Sequence, residues 1–210
     1  GLGDICTQGS SVVVPYIKDF SVVRARFNGS TWSSATIPGT STNSYTTSDC
    51  GVTPDGMFIS AQDFNDSEIE LFRSTDGGFN YTFYGRYGGN RLGPFSGAIR
   101  DQLATHPPSS DAILLSQQSS GQIQVTHFNA SAAPPVFTHI NVVNTGAPPG
   151  SFTVVRESAG GPAGNGFLFT YNADNQIRTV YVPTANPAAF SSSILGPINN
   201  SGSQFPFQGG

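Results

Sequence analysis

Residues 74–81 read Ser74-Thr75-Asp76-Gly77-Gly78-Phe79-Asn80-Tyr81. The alternating run Ile69-Glu70-Leu71-Phe72 precedes them, and Thr82-Phe83-Tyr84 follows. Two strand-like runs on either side of an Asp-Gly-Gly turn specify a β-hairpin. Gly77 and Gly78 enter positive φ without a Cβ clash. Asp76 can accept from the turn's N–H groups, and the Ser74 hydroxyl can do the same more weakly. Tyr81 is then left to fold its ring over the hairpin.

Working outward, the same unit recurs. Four apolar runs match one another: Ser11–Ile17, Met57–Ala61, Ala112–Ser116 and Gly166–Tyr171. Each is followed by a short polar turn and a second alternating run: Ser21–Phe27, Glu68–Arg73, Gln122–Phe128 and Gln176–Val182. A Gly-, Ser- or Pro-containing turn then leads to an aromatic residue and a third run. Those aromatics are Trp32, Tyr81, Phe137 and Phe190, at spacings of 49, 56 and 53. A further strand fits ahead of each triplet, at Gly3–Thr7, Thr47–Gly51, Ala98–Leu103 and Phe152–Ser158. Sixteen short strands at a period near fifty residues specify an all-β chain, expected as a small β-propeller with four blades of four antiparallel strands. The blades are expected at about 3–40, 45–92, 96–146 and 150–197 of a single domain over 1–210, with 198–210 returning to close the ring. A β-sandwich is the alternative.

The positions Ser74, Asp76, Gly78 and Tyr81 also form the pattern Ser-x-Asp-x-Gly-x-x-aromatic. This resembles the Asp-box, the hairpin repeat of sialidases and other β-propellers. Phe27-Asn28-Gly29-Ser30-Thr31-Trp32 is a degenerate relative, and the segments before Phe137 and Phe190 have drifted further. The resemblance implies a propeller and a structural role for these four residues, since the family's boxes lie on outer hairpins remote from the active site. It does not carry sialidase chemistry here. Sialidases use six blades, an arginine triad and an Arg-Ile-Pro motif; this chain lacks that motif and is too short for six blades. Hemopexin-like proteins offer a precedent for a four-bladed ring of this size, without a shared signature.

Only 10% of the 210 residues are charged, and the net charge is −4. Nucleic-acid binding rests on clustered Lys and Arg, so that partner is not expected. No apolar run reaches the length of a membrane span. The chain opens on Gly1 and its one methionine is Met57, which reads as a processed or trimmed chain. Cys6 and Cys50 lie in the proposed inner strands of adjacent blades and are expected to form a disulfide. Five sequons, at Asn28, Asn65, Asn80, Asn129 and Asn199, fit a secreted glycoprotein.

Candidate binding residues fall in two groups. Tyr84, Arg86, Tyr87, Asn90 and Arg91 occupy a Gly-rich stretch whose rings, amide and guanidinium groups suit a sugar, while Tyr84 or Tyr87 could equally pack between blades. Asp49, Arg100, Asp101, Arg156 and Glu157 sit at inner-strand positions, where they either bind a ligand or ion in the channel or pair with one another. The second reading is favoured. The turns Asp63–Asp66 and Asn172–Asn175 could hold a sugar or Ca²⁺, although Asn and Asp are ordinary turn residues. No resident cofactor is expected. The three glutamates are Glu68, Glu70 and Glu157, and the first two are expected to face solvent together. His106, His127 and His139 are scattered, and no Gly-x-Ser-x-Gly or His-Glu-x-x-His segment occurs. Catalysis is therefore disfavoured. The expected function is a secreted, lectin-like recognition module for glycans or glycoprotein surfaces. A structural or adhesive surface or filament protein is the alternative, and a glycan-active hydrolase or lyase is a third.

Overall fold

The computed structural model describes residues 4–65, 68–88, 102–105, 109–117, 122–144, 152–156, 166–173 and 176–197. They form four antiparallel sheets of four strands, each built from consecutive strands. The first holds β1 (Cys6–Gln8), β2 (Ser11–Lys18), β3 (Ser21–Phe27) and β4 (Trp32–Thr36). The second holds β5 (Tyr45–Thr53), β6 (Gly56–Asp63), β7 (Glu68–Ser74) and β8 (Thr82–Gly88). The third holds β9 (Gln102–Thr105), β10 (Asp111–Gln117), β11 (Gln122–Asn129) and β12 (Phe137–Asn144). The fourth holds β13 (Phe152–Arg156), β14 (Gly166–Ala173), β15 (Gln176–Pro183) and β16 (Ser191–Pro197). These are the four blades of a β-propeller. A single 3-10 turn at Pro187–Ala189 is the one helical element among the described residues, and no helix there is long and apolar enough to cross a membrane. The inner strand of the first blade begins later than expected, at Cys6, and residues 98–101 of the expected third inner strand lie outside the described residues. The proposed closing tail lies outside the described residues.

Successive blades meet face to face. The second strand of the first blade approaches β5, β5 approaches β9, and β9 approaches β13, so the first strands line the inner side. Period-two alternation gives every blade two faces. On β6, Met57, Ile59 and Ala61 pack on the first blade together with Val13, Val22 and Ile37, while Phe58 turns to the third blade with Leu103 and Leu114. On β10, Ile113 and Leu115 turn instead towards Phe167, Phe169 and Tyr171 of the fourth. The core is thus three apolar layers, one at each junction between blades.

The aromatic residues that mark the repeat sit at one structural position, at or just before the fourth strand of each blade. Tyr81 is buried against the first blade, Phe137 packs on the layer between the second and third, and Phe190 packs on the layer between the third and fourth. Trp32 departs from the series. It is 59% exposed and leans on Phe27 of its own blade, with ring centroids 5.4 Å apart.

One expectation is corrected. Glu70 does not face solvent: it is 8% exposed and accepts a hydrogen bond from the Tyr45 hydroxyl. The β5 strand brings Tyr45 under the face that carries Glu70, and burial together with that bond raises the Tyr45 pKa. Glu68 stays half exposed and pairs with Arg86 at 3.3 Å.

Candidate functional site

The junction between the first two blades concentrates the polar chemistry of the described residues. Its floor is a disulfide between Cys6 and Cys50, which joins the inner strands β1 and β5. Beside it, Asp49 is buried and receives three backbone N–H bonds, from Leu103 at 2.7 Å, Cys50 at 2.8 Å and Asp4 at 3.3 Å. One carboxylate therefore touches the backbones of three consecutive blades. Burial outweighs those donors, and with the nearby Asp4 charge it pushes the Asp49 pKa up to about 7. Its partners among the described residues are backbone N–H groups, while Arg100, Asp101 and Glu157, the charges expected beside it, lie outside the described residues.

At the outer rim the Ser74–Tyr81 turn takes the form that its sequence specifies. The Ser74 hydroxyl donates to Asp76 Oδ1 at 2.7 Å and accepts from Gly78 N at 2.9 Å. Asp76 Oδ1 also accepts from the N–H groups of Phe79 and Asn80, and its Oδ2 accepts from Asn80 Nδ2 at 2.8 Å. Partial burial alone would raise the Asp76 pKa, but these donors, led by the Asn80 N–H, hold it below the ordinary value. The turn thereby pushes Phe79 outward, where the residue is 54% exposed.

Two arginines of β3 reach across from the first blade to grip this turn. Arg24 Nε and Nη2 donate to the Phe79 carbonyl at 3.0 and 2.7 Å, and Arg26 Nε donates to the Gly77 carbonyl at 2.8 Å. Arg26 Nη2 also donates to the Ser11 hydroxyl. Both guanidinium carbons lie over the Phe79 ring, at 5.6 and 5.7 Å from its centroid. Arg24 is only 7% exposed, and its Nη1 is buried without a partner, as is the Tyr81 hydroxyl. Burial lowers the Arg24 pKa and raises that of Tyr81. The result is an exposed aromatic ring set against two guanidinium groups, a surface that can offer stacking and N–H donation together.

The sequence did not single out Phe79, Arg24 or Arg26. A signal was present: Val22, Arg24 and Arg26 alternate on one side of β3, so two charges occupy a face that begins as core. Of the binding residues that were singled out, the side chains of Tyr84, Arg86 and Asp49 are described, and these three stand apart. Tyr84 packs between the second and third blades, 5.2 Å from the Phe58 ring, and its hydroxyl donates to the Ala132 carbonyl at 2.7 Å. Arg86 points outward to Glu68 and over Phe83. Tyr87 lies in β8 opposite Ile69, and Arg156 in β13 opposite Phe167. Asn90, Arg91, Arg100, Asp101 and Glu157 lie outside the described residues, as do His106, Asp66, Asp174 and Asn175. The half-buried His127 meets Asp111 at 3.0 Å, and the exposed His139 meets the Thr126 hydroxyl. Of the sequons, Asn28, Asn65, Asn80 and Asn129 are exposed, and Asn199 is not among the described residues.

No family model matches the chain, and no curated protein matches it. Solved structures do. The SapL1 lectin in complex with alpha methyl fucoside superposes with a TM-score of 0.59 at 13% identity, over 90% of this chain and 63% of that one. A triple arginine-to-alanine mutant of AofleA from Arthrobotrys oligospora gives 0.61 at 10% identity, over 90% of this chain and 54% of that one. A Lactobacillus plantarum protein gives 0.55 at 12% identity, over 91% and 54%. The chain therefore spans between about half and two thirds of the length of these proteins, and at such identities it shares their fold.

Proposed function

We propose that this chain is a secreted, non-enzymatic, carbohydrate-binding protein whose residues 1–210 form one domain of four propeller blades. The observation that carries the reading is the exposed Phe79 ring held against Arg24 and Arg26 at the rim of the first inter-blade junction. Sugars present apolar C–H faces that stack on aromatic rings, and their hydroxyls accept from guanidinium N–H groups. The two hydrogen bonds of Arg26 use Nε and Nη2, so its Nη1 is left to donate. The fold is that of SapL1, which holds alpha methyl fucoside, and this supports that glycoside as the first probe. Secretion is supported by the disulfide and by the exposed sequons.

A glycan array followed by calorimetric titration tests the reading. Binding of at least one glycan class is expected, with Phe79→Ala weakening it about three- to tenfold while the melting temperature holds. A wild-type protein silent across fucosylated and other glycans would sink the proposal. The second reading, a self-assembling surface protein, is favoured by one observation, a half-buried apolar face of the first blade against which no blade packs among the described residues.

A further inference from the structure

Each blade presents one face to the blade before it. The second, fourth and sixth residues of the second strand belong to that face. In the second blade these are Met57, Ile59 and Ala61, and in the fourth Phe167, Phe169 and Tyr171, all buried. In the third, Ala112 and Leu114 are likewise buried. The corresponding residues of the first blade are Val12, Val14 and Tyr16, and they are only half-buried. Their cross-strand partners Phe27, Ala25 and Val23 extend the face, and Trp32 lies opposite Phe27 at its outer edge. Apart from Lys18 at the end of β2, the face carries no charged side chain, although its sequence matches that of faces which elsewhere are fully covered.

A complementary face remains at the other end. On the fourth blade, Leu168 and Thr170 point away from the third blade, with Tyr181 and Thr179 as their cross-strand partners, and all four are half-buried. Among the described residues this side carries no charged side chain. Among the described residues, the first and fourth blades make no approach like those that join successive blades.

We propose that the leading face of the first blade, around Val12, Val14, Tyr16 and Trp32, is covered by the trailing face of the fourth blade of a second copy of this chain. The occupant follows from the three junctions already formed, in each of which a leading face meets a trailing face. The fourth blade carries the one trailing face left without a blade against it among the described residues. A twofold axis pairs both open faces of both copies, so neither copy keeps an uncovered end. The closed ring then has eight blades, within the range that propellers adopt. This contact is independent of the Phe79 surface, which lies within one chain.

Trp32 is the chain's one tryptophan, so its emission reports on this face alone. Sedimentation and light scattering are expected to give twice the 22.0 kDa chain mass, with Trp32 emission shifting to the blue as concentration rises. Trp32→Arg and Leu168→Arg are each expected to yield a monomer with wild-type circular dichroism. Mixing these two variants is expected to restore a dimer, because a head-to-tail pair keeps one intact junction. A wild-type monomer at every concentration, with red, quencher-accessible emission, would overturn the proposal. So would blue emission in a monomer, which would mean that the chain's own fourth blade closes the ring. Failure of the mixed variants to associate, while wild type dimerises, would reject the head-to-tail contact.

Discussion

The acid at Asp49 shows how much one side chain can be asked to do. It bonds to backbone N–H groups from three blades while burial opposes its charge. The folded pKa, about 7, lies above the ordinary aspartate value of about 3.9, so the folded state holds the proton more tightly than the unfolded chain. Stability from this group is then fully present below about pH 4 and is lost as pH rises through about 7. Thermal melts of wild type and Asp49→Asn across pH 4–8 check this. The difference between the two curves is expected to change by several degrees over that window and to flatten above it. A constant difference would show that Asp49 has an ordinary pKa. Sequence could not supply this result, because the donors Asp4 and Leu103 stand 45 and 54 residues away. Glu70 escaped for the same reason: the alternation of β7 gives its side, but not the Tyr45 hydroxyl that waits there.

At the scale of the element, the Ser74–Tyr81 turn was legible almost in full. Its residues bond locally, so an eight-residue window contains nearly all the partners that shape it. What the window lacked was the neighbour. Gly78 has φ of +79°, and a Cβ there would stand 2.4 Å from Val13 Cγ2 on the first blade. Gly78→Ala thus meets backbone strain and a clash across the junction together, and it is expected to cost about 2–4 kcal/mol in chemical denaturation. A loss within about 0.5 kcal/mol of wild type would mean that the junction is looser than described. The strands were equally readable, because sixteen runs repeat one alternation. The exposure of Phe79 was not, since an aromatic in a turn is ordinarily counted towards a core.

For the whole molecule, the fold rests on serial junctions rather than on one central core. The disulfide closes a loop of 44 residues around the first of these, which on the chain-entropy model contributes on the order of 4 kcal/mol. Reduction is accordingly expected to lower the unfolding free energy by that amount, and to act first on the contact between the first and second blades. Fluorescence of Trp32 and far-ultraviolet circular dichroism, followed through denaturation with and without reductant, separate local from global loss. Coincident transitions of unchanged midpoint after reduction would show that the bond contributes nothing. The blade repeat could be read from sequence because every blade obeys the same alternation. The covering of each face could not, because that depends on what stands beside it.

The two attachments at the first junction differ in kind and in place. Near the inner strands the link is covalent, while at the rim it is Arg24 and Arg26 donating to backbone carbonyls. Two plates fastened permanently along one edge and reversibly along the other move relative to each other chiefly by rotation about the fastened edge. Thermal opening of this junction would therefore begin at Phe79 and run inward, so the proposed sugar-binding rim is also where the first two blades can part without either one unfolding.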